Sequence, residues 1–448
     1  MISSRSRRRK ALLLLALVSL TAASGCGVFK RGNRGPTATL GERIPVLGFE
    51  QEVKAEPELQ NVDVVLPTQQ VNASWTQPGG DATGSMGHLA LAARPSKLWS
   101  VSIGSGSTKS RKLNGTPVIS ENRLFVIDAE AQLSAYNATS GQLLWRKTIT
   151  SPGESSAAAF GGGVSVLGDR VFASTGFGLA VAFEAASGNE LWRATLPTPL
   201  RAAPAVDDGR VFVASQDGQL VALAADNGNQ LWEANSTVEP AAVMGPGAPA
   251  VGFGTVVAGF PSGELFALRV ENGRTLWQDQ LSRSGRTTAL GALSGVAASP
   301  VIDRDRVFAI SHGGRMVALD LATGQRTWER EFAGVNTPWP AGDWVFALTV
   351  DSELVALTRG EGKVRWMANL GNWKNPKKSK GAIQWYGPVL AGGHLIGVSS
   401  RGDMDFVDPA NGQVAFREKL GAAAHLPPVV ANGILYTLTD DGKLTAWR

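Results

Sequence analysis

Short apolar runs separated by polar turns occupy most of the chain. In PAVDDGRVFVASQDGQLVALAADNGNQLW, residues 204 to 232, two β-rich runs flank the turn QDG, and a second turn, DNG, precedes QLW. Asp-Gly and Asn-Gly turns between such runs predict antiparallel hairpins. This stretch contains no ten-residue segment of helical periodicity. Each unit is therefore predicted to contain about four short antiparallel strands.

The unit repeats along the chain. At the end of seven units a glycine stands four residues before an aromatic residue. The pairs are Gly141 and Trp145, Gly188 and Trp192, Gly228 and Trp232, Gly273 and Trp277, Gly324 and Trp328, Gly362 and Trp366, and Gly412 and Phe416. Successive aromatics lie 38 to 51 residues apart, a period typical of propeller blades or of helical repeats. Because the units are built from strands, the spacing predicts a β-propeller.

The two ends of the chain complete the count of blades. An eighth unit, PPVVANGILYTLTDDGKLTAWR, reaches Arg448 with only three strands, while KLWSVSI, residues 97 to 103, carries Trp99 without a blade before it. Pairing these pieces closes the ring and leaves no open sheet edge there. We therefore expect an all-β, eight-bladed propeller of four-stranded antiparallel blades over residues 61–448. Its last blade is closed by the N- and C-terminal segments.

The repeated glycine and aromatic residues have a structural interpretation. Glycine supplies the positive φ of a tight turn, and we expect the aromatic ring to pack between neighbouring blades. At about 200 Å² buried and about 25 cal/mol per Å², each tryptophan contributes on the order of 5 kcal/mol before entropy losses. The alternative is an aromatic platform for a cofactor. The predicted structural residues are Trp99, Trp145, Trp192, Trp232, Trp277, Trp328, Trp366 and Phe416.

The first sixty residues differ from the repeats. The apolar run ALLLLALVSLTAAS follows a stretch of five basic residues and is shorter than a membrane span. This arrangement is typical of a secretory signal, with a twin-arginine signal as the alternative. Residues 1–25 are predicted to be the signal peptide of a lipoprotein. Residues 26–60, which are polar and rich in Gly, Pro and charge, are predicted to be a flexible tether, with a small accessory strand near RIPVLGF as the alternative.

The single cysteine, Cys26, lies where the signal ends. The sequence Ala23, Ser24, Gly25, Cys26 resembles the lipobox of bacterial lipoproteins, so we expect Cys26 to be lipidated. An inert buried cysteine is the alternative. Gly27 follows instead of aspartate, which in that class of lipoproteins implies sorting to the outer membrane of a Gram-negative host. The fold would then face the periplasm.

The charge balance argues against nucleic acid as a partner. Five of the 43 basic residues precede the apolar run of the signal, which leaves 38 Lys and Arg against 38 Asp and Glu. The net charge of the remaining chain is therefore near zero, and binding by simple charge attraction loses its main support.

The repeat itself resembles a known family. The phrase G-x-x-L-W, preceded by D-G-x-L-x-A-L as in DGQLVAL, recurs in register from about residue 95 to 448 and resembles the PQQ-type propeller repeat. Quinoprotein dehydrogenases, which hold pyrroloquinoline quinone and Ca²⁺, share this repeat with the outer-membrane assembly lipoproteins of the BamB family, which have no cofactor. A lipobox, a tether and one propeller resemble the BamB family, and TPWPAGDWVF and GPVLAGG resemble its alphaproteobacterial branch.

The resemblance implies a non-enzymatic scaffold of the β-barrel assembly (BAM) complex. Such a protein binds a BamA-type subunit through loops on one propeller face, assists the insertion of outer-membrane proteins, and in our expectation also meets nascent barrel strands. A quinone-dependent dehydrogenase and another cell-envelope adaptor are the alternatives.

The residues give little support to an enzyme. Quinoprotein dehydrogenases typically have an adjacent cysteine pair beneath the cofactor, whereas this chain has only Cys26. No Asp-x-Asp-x-Asp-Gly calcium loop occurs. We therefore expect no catalytic residue, no metal and no cofactor. The scattered histidines, expected in turns or at the surface, are His88, His312, His394 and His425.

The connectors between units predict where a partner binds. If the strands of a blade are A to D from the axis outward, the D-to-A connectors and the B-to-C turns share one face. Two connectors on that face are long, residues 278–299 and 367–387. Long loops on a rigid scaffold are where binding surfaces form, so this face is the candidate.

A shorter connector, LPTPLRAAP at residues 196–204, resembles the BamB-family loop whose Leu-x-Leu-Arg segment contacts BamA. Leu200 and Arg201 match its final Leu-Arg, whereas Thr198 and Pro199 interrupt the rest. An exposed Leu200 beside Arg201 would join apolar burial to a directional donor, as in a binding hot spot. A solvent-facing connector is the alternative.

Acidic residues in the connector before the fifth blade also belong to the family pattern, but no acid occurs between Asp279 and Asp303. We therefore expect Arg283 or Arg286 to take part in docking, with different charges on the partner.

A second candidate patch lies in the connector at residues 367–387. Such a run is usually a solvated loop, and the alternative is that it binds a partner or anionic headgroups. The patch contains Lys374, Lys377, Lys378 and Lys380 beside Trp373 and Trp385, with Lys377 and Lys378 as the named candidates.

Overall fold

The computed structural model describes residues 53–159, 161–237, 247–281 and 295–448. The predicted signal peptide and Cys26 lie outside these ranges. Eight four-stranded antiparallel sheets form an eight-bladed β-propeller, which confirms the predicted fold class. The helices of the described part are three single 3₁₀ turns, Pro57–Leu59, Ser156–Ala158 and Pro376–Lys378. No helix in it is long and apolar enough to cross a membrane.

Each of the first four blades contains strands A to D in chain order, with strand A innermost. Blade 1 consists of Val118–Ser120, Arg123–Ile127, Gln132–Asn137 and Leu143–Thr148. Blade 2 consists of Gly162–Leu167, Arg170–Thr175, Leu179–Glu184 and Glu190–Thr195. Blade 3 consists of Ala205–Asp207, Arg210–Ala214, Gln219–Ala224 and Gln230–Asn235. Blade 4 consists of Ala250–Gly252, Thr255–Gly259, Glu264–Arg269 and Thr275–Gln280.

The same order continues to the end of the chain. Blade 5 consists of Val301–Asp303, Arg306–Ile310, Met316–Asp320 and Arg326–Arg330. Blade 6 consists of Trp339–Ala341, Trp344–Leu348, Glu353–Thr358 and Val364–Asn369. Blade 7 consists of Trp385–Ala391, His394–Ser399, Asp403–Val407 and Val414–Lys419. Blade 8 consists of Val429–Ala431, Ile434–Leu438, Lys443–Trp447 and, as strand D, Lys97–Ser102. A separate hairpin, Trp373–Asn375 with Lys380–Ala382, lies between blades 6 and 7.

Blade 8 joins the two ends of the fold, as the sequence predicts. Strand D runs antiparallel to the C-terminal strand, with Ser100 opposite Thr445 and Val101 opposite Leu444. Beyond the strands, the backbones of Ser96 and Arg448 exchange two hydrogen bonds of 2.7 and 2.8 Å. The ring is therefore closed by backbone pairing between its first and last segments.

The tryptophan near the start of strand D joins each blade to the next. Trp192 of blade 2 donates from Nε1 to the carbonyl oxygen of Ala225 in blade 3, at 3.0 Å. Its ring lies so close to Gly228 that a β-carbon on this glycine would approach Trp192 Cε3 to 2.5 Å. Gly228 has a φ of +75°, so the turn needs glycine both for its backbone angle and for space. Equivalent indole bonds to the following blade are made by Trp145, Trp232, Trp277, Trp328 and Trp366.

Two junctions of the ring depart from this pattern. Trp99 of blade 8 lies against Gly141 of blade 1, but the bond to the blade 1 turn comes from the Tyr436 hydroxyl, which donates to Ala138. Phe416 of blade 7 has no indole nitrogen. Its ring stacks on Phe406 with centroids 4.2 Å apart, and the Arg94 guanidinium lies 5.0 Å from its centroid.

The inner edge of the ring is covered by residues 72–89, which we call the axial segment. It winds once around the axis and meets strand A, or its end, in blades 8, 1, 2, 3, 4, 5, 6 and 7 in that order. Backbone bonds link Trp75 to Ile119 in blade 1 in both directions, at 2.8 and 2.7 Å. The carbonyl oxygens of Thr76, Ala82 and Thr83 accept N–H groups of blades 2, 4 and 5. The segment thereby pairs backbone groups that an edge strand otherwise leaves free.

Side chains complete this ring of contacts. The buried Gln77 amide accepts the N–H of Val206 at 2.9 Å and donates to its carbonyl at 3.1 Å, as a backbone strand does. Across the axis, Trp75 stacks on Trp339 of blade 6 with centroids 6.1 Å apart.

His88 is buried, contrary to the expectation of a turn or surface residue, because Nδ1 lies 2.8 Å from the Pro67 carbonyl and Nε2 accepts the N–H of Gly393.

The stretch before the axial segment lies against blade 6. The N–H of Glu56 donates to Val364 at 2.8 Å, and Arg365 Nε donates to the carbonyl of Val62 at 2.8 Å. The predicted boundary between tether and propeller at residue 60 falls within this contact.

The glycine beside the tryptophan can be tested with a matched pair of substitutions. Gly209 and Gly228 have φ values of +71° and +75°, but a β-carbon on Gly209 meets no atom within 4 Å. We expect Gly209→Ala to cost about 1–2 kcal/mol of unfolding free energy for its backbone angle alone. Gly228→Ala should cost about 1–3 kcal/mol more from overpacking against Trp192. Urea unfolding measures both, and equal losses would contradict the role given to the inter-blade contact.

The axial segment is expected to be part of the folded core. Gln77→Leu keeps a side chain of similar size but leaves the buried N–H and carbonyl of Val206 without a partner, at about 1–3 kcal/mol for each group. We predict a loss of about 2 kcal/mol or more in unfolding free energy by urea denaturation. The control Gln142→Leu, at an exposed turn, should change it by less than about 0.5 kcal/mol. A Gln77 variant as stable as the control would mean that the segment is only loosely attached.

Candidate partner-binding face

The strand order places two kinds of loops on opposite faces of the ring. The D-to-A connectors and B-to-C turns share one face, which we call the connector face, and the A-to-B and C-to-D turns share the other. In blades 1–7 the C-to-D turns have five or six residues, whereas the connectors range from eight to twenty. The loops that vary most in length, and that can form a binding surface, therefore lie on the connector face.

The connector at residues 196–204 is fixed to the two blades that it joins. The N–H of Leu196 donates to Gly178 in the B-to-C turn of blade 2, at 2.8 Å. The N–H of Gln216, in the B-to-C turn of blade 3, donates to Pro199 at 3.0 Å. Thr198 Oγ1 donates to Asp217 Oδ1 at 3.0 Å. These bonds hold the loop in one conformation against the B-to-C turns of blades 2 and 3.

The expectation of an exposed Leu200 is wrong. Its side chain is 0% exposed and belongs to the apolar core between blades 2 and 3, with Trp192, Leu196 and Val213. The backbone turns the side chain inward because the N–H of Leu200 donates to Thr175 at 3.2 Å. Leu200 therefore anchors the connector and presents no apolar surface to a partner.

Arg201, the next residue of the same connector, lies at the surface. It is half-buried, and its Nε donates to Gln216 Oε1 at 3.0 Å. Its Cδ approaches Gly161 so closely that a β-carbon there would be 2.8 Å away. Burial lowers the pKa of the guanidinium. The side chain is thus held in place and partly desolvated, while remaining a cation at neutral pH.

The sequence reasoning missed two acidic side chains on this face, Asp217 in the B-to-C turn of blade 3 and Glu264 at the start of strand C of blade 4. Asp217 is exposed next to Gln216. The Glu264 carboxylate accepts the Thr237 N–H at 2.8 Å and the Ser262 hydroxyl at 2.7 Å. Asp279, the last acid before the long connector, pairs in a bidentate manner with Arg326 of blade 5. The register of SQDGQL and PSGELF in the repeat contained the signal for the first two.

The other candidate residues fall into two groups. Arg283 and Arg286 lie outside the described residues. Lys377 and Lys378 are exposed in the 3₁₀ turn that connects the two strands of the hairpin between blades 6 and 7. The structure brings neither lysine near Arg201, which lies between blades 2 and 3.

Charged groups on blade 7 are engaged with each other. Asp403 and Asp405 are fully buried, and their carboxylates bind Arg401, Lys419 and Arg417. Burial raises the pKa of Asp405 even though Arg417 bonds to it.

The side chains of His425 and Tyr386 lie at the junction of blades 7 and 8. His425 Nδ1 lies 2.6 Å from Asp440 Oδ2, and the ring is 5.3 Å from that of Tyr386. Burial raises the pKa of Tyr386 to about 12. This polar cluster ties blade 7 to blade 8.

The residues present do not fit a quinone and a Ca²⁺ ion on the axis. The axial segment and the Trp75–Trp339 stack already fill that region from the A-to-B side. At the opposite end, strand A of blade 2 packs closely on the connectors that precede blades 1 and 3, since a β-carbon on Gly163 would lie 2.7 Å from Ala203 Cβ and one on Gly115 would lie 2.8 Å from Gly163. Within the described ranges no group of three or more His, Cys, Asp or Glu side chains could hold a metal.

A polar cavity of about 300 Å³ lies at the edge of blade 1, lined by Asp128, Glu130 and Gln132 among others. Its carboxylates are occupied by structural bonds. Asp128 accepts the N–H groups of Ser105, Glu130 and Gln132 at 2.8–2.9 Å, and Glu130 pairs with Arg111. Both carboxylates therefore stabilise the B-to-C turn of blade 1 and the connector before it.

Comparison with known proteins separates the two kinds of propeller. The family model described as outer membrane protein assembly factor BamB matches residues 85–158 and 154–368. The assembly factor BamB of Salmonella typhimurium is 28% identical over 442 residues, covering 97% of this chain and 98% of the relative. BamB of Escherichia coli is 27% identical over 354 residues, covering 78% of this chain and 88% of the relative.

Solved structures show the fold but do not separate these families. The crystal structure of BamB from Moraxella catarrhalis superposes with a TM-score of 0.67 at 18% identity, covering 79% of this chain and 100% of the other. Quinohemoprotein alcohol dehydrogenase from Comamonas testosteroni superposes with a TM-score of 0.65 at 13% identity, covering 84% and 80%. The sequence match decides between them: the family model spans more than half of the chain, and the chain belongs to the BamB family of outer membrane protein assembly factors.

Proposed function

We propose that this chain is a scaffold lipoprotein of the outer-membrane β-barrel assembly machinery. In this proposal it holds a BamA-type subunit on the connector face of blades 2 to 4, performs no chemistry, and assists the insertion of outer-membrane proteins. Membership of the BamB family supports the general role, and the geometry of the connector at residues 196–204 supports the location.

The observation that carries the location is the fixed position of Arg201. Binding costs least when the contact residues are ordered beforehand. Leu200 and the two neighbouring B-to-C turns order this connector before any partner arrives. An arginine in such a frame can donate several hydrogen bonds to a carboxylate or carbonyl group of a partner.

Acidic side chains on the same face add to the proposed contact with the partner. Asp217 lies in the B-to-C turn of blade 3 and Glu264 begins strand C of blade 4, and both provide the acidic component that the connector before blade 5 lacks. A partner surface with one acidic and one basic region fits this arrangement, and such complementarity sets orientation and rate of association. Arg283 and Arg286, which lie outside the described residues, remain proposed contributors.

The absence of chemistry is part of the proposal. The chain uses its own residues 72–89 to fill the axis, where a propeller enzyme would need space for a cofactor and substrate. The carboxylates of the cavity at blade 1 are engaged in turns. Both observations favour a scaffold over a dehydrogenase.

Replacing Arg201 tests the location. Arg201→Glu puts a negative charge where the proposal needs a donor, so the affinity for a BamA-type subunit should fall by about 30-fold or more, the effect of about 2 kcal/mol at a hot spot. Co-purification from membranes and binding to the purified periplasmic part of that subunit measure the change.

The matched control is Arg274→Glu. It makes the same charge change at an exposed C-to-D turn on the opposite face and should leave binding unchanged. Urea unfolding should show both variants to be folded. Equal binding by the two variants would remove the Arg201 site from the proposal.

Membrane attachment through Cys26 is the second part of the proposal. Several acyl chains, at about 0.8 kcal/mol per buried methylene, hold a protein on a membrane almost permanently. Cys26→Ser removes the acceptor thiol, and this variant should leave the outer-membrane fraction when cells are fractionated. The wild-type chain should remain there and carry fatty acid detectable by mass spectrometry. A Ser variant that stays in the outer membrane would show that another contact holds it.

A further inference from the structure

A basic hairpin projects from the connector between blades 6 and 7. Its strands pair Trp373 with Ala382 and Asn375 with Lys380, and the 3₁₀ turn Pro376–Lys378 joins them. We call residues 373–382 the lysine hairpin. Its four lysines, Lys374, Lys377, Lys378 and Lys380, are all exposed, and none pairs with an acid in the described part of the chain.

The surrounding sequence contains no compensating charge. Residues 362–402 include seven Lys and Arg and no Asp or Glu. The nearest acids in blade 7, Asp403 and Asp405, are buried and neutralised by their own cations. The hairpin therefore presents a positive surface that nothing in its own connector offsets.

The chain reaches the propeller in the same sector. Residues 53–62 lie against strand D of blade 6: Val53 packs on the apolar core there, Glu58 pairs with Lys363 at 2.7 Å, and Glu56 donates to Val364. The lysine hairpin follows the far end of this strand, Val364–Asn369. Six strand residues span about 20 Å. The N-terminal approach and the hairpin thus mark the two ends of one edge of the ring.

The side chains of the hairpin fit lipid headgroups better than a folded protein. Protein interfaces depend on buried aromatic or apolar anchors, but Trp385 and Ile383 are buried and Trp373 is half-buried. What remains exposed is a cluster of compact point charges on flexible stems. Such lysines bind an anionic membrane surface with about 1 kcal/mol each, which is about fivefold in occupancy, without needing a shaped partner.

We propose that the lysine hairpin binds the phosphate groups of anionic phospholipids and holds the propeller edge-on to the membrane at blades 6 and 7. In this orientation the membrane does not cover the connector face, which remains accessible to a partner. The inference rests on the membrane anchorage proposed above.

Lysine acylation measures the contact directly in the full-length protein. The chain, purified with its lipid, is reconstituted into vesicles of phosphatidylethanolamine with or without phosphatidylglycerol. An amine-reactive ester then labels it, and mass spectrometry gives a rate for each lysine. Lys109 and Lys112, exposed in the connector between blades 8 and 1, are internal controls.

With phosphatidylglycerol, the hairpin lysines should react about fivefold more slowly, and high salt should restore their rates. Lys109 and Lys112 should not change. The double variant Lys377→Gln/Lys378→Gln should lose the protection of Lys374 and Lys380, whereas Lys109→Gln/Lys112→Gln should keep it.

Three results would overturn the proposal. Equal hairpin rates in the two vesicle types, with the protein bound to both, would exclude headgroup binding and leave the anchorage intact. Protection that appears only when a BamA-type subunit is added would assign the hairpin to an acidic protein surface. A chain that binds neither vesicle type would refute the anchorage itself and, with it, the edge-on orientation.

Discussion

The contact between an indole ring and a glycine turn determines the architecture of this protein. Each blade must cover its neighbour's sheet, and in blades 1 to 6 the strand D tryptophan does so by lying on the next C-to-D turn and donating a hydrogen bond to it. The turn needs glycine for two reasons: its φ is positive, and the indole ring leaves no room for a β-carbon. Because both residues recur at a fixed spacing, each blade meets the next at a similar angle, and the ring closes.

The ring in turn creates the surfaces on which function depends. Short C-to-D turns are constrained by the tryptophans, whereas the connectors on the other face are free to vary in length. Arg201 illustrates the result: Leu200, held in the inter-blade core, fixes the connector from below and leaves the guanidinium in a defined place. The fold itself thus orders this connector, as the proposed docking role requires.

Sequence reasoning recovered what is local and periodic. The turn signals and the spacing of Gly and Trp are properties of one unit, so they predict the blades, and the unpaired segment with Trp99 predicts the closure of blade 8. The axial segment could not be found in this way, because its partners are backbone groups of strands that are distant in sequence and its own residues follow no period. Leu200 was misjudged because a short motif does not report whether the backbone turns a side chain inward.

The charged residues of the candidate site could be predicted from the sequence only in part, for a related reason. Asp217 lies in a turn, where acids also suit the backbone geometry, and Glu264 directly follows one. Only the ring brings them onto the face that holds Arg201. The hairpin lysines were visible in the sequence, but their position at the edge where the chain meets blade 6 required the fold.

The closure of blade 8 also governs how the molecule must reach its native state. Ser96 and Arg448, which pair at the seam, are separated by 352 positions, so the final sheet has very high contact order and forms only after the whole polypeptide is available. Until then the axial segment, which precedes all the blades in the chain, lacks some of its partners, and open strand edges stay exposed to aggregation. A newly synthesised chain therefore keeps unpaired strand edges until residues 443–447 are available to pair with residues 97–102.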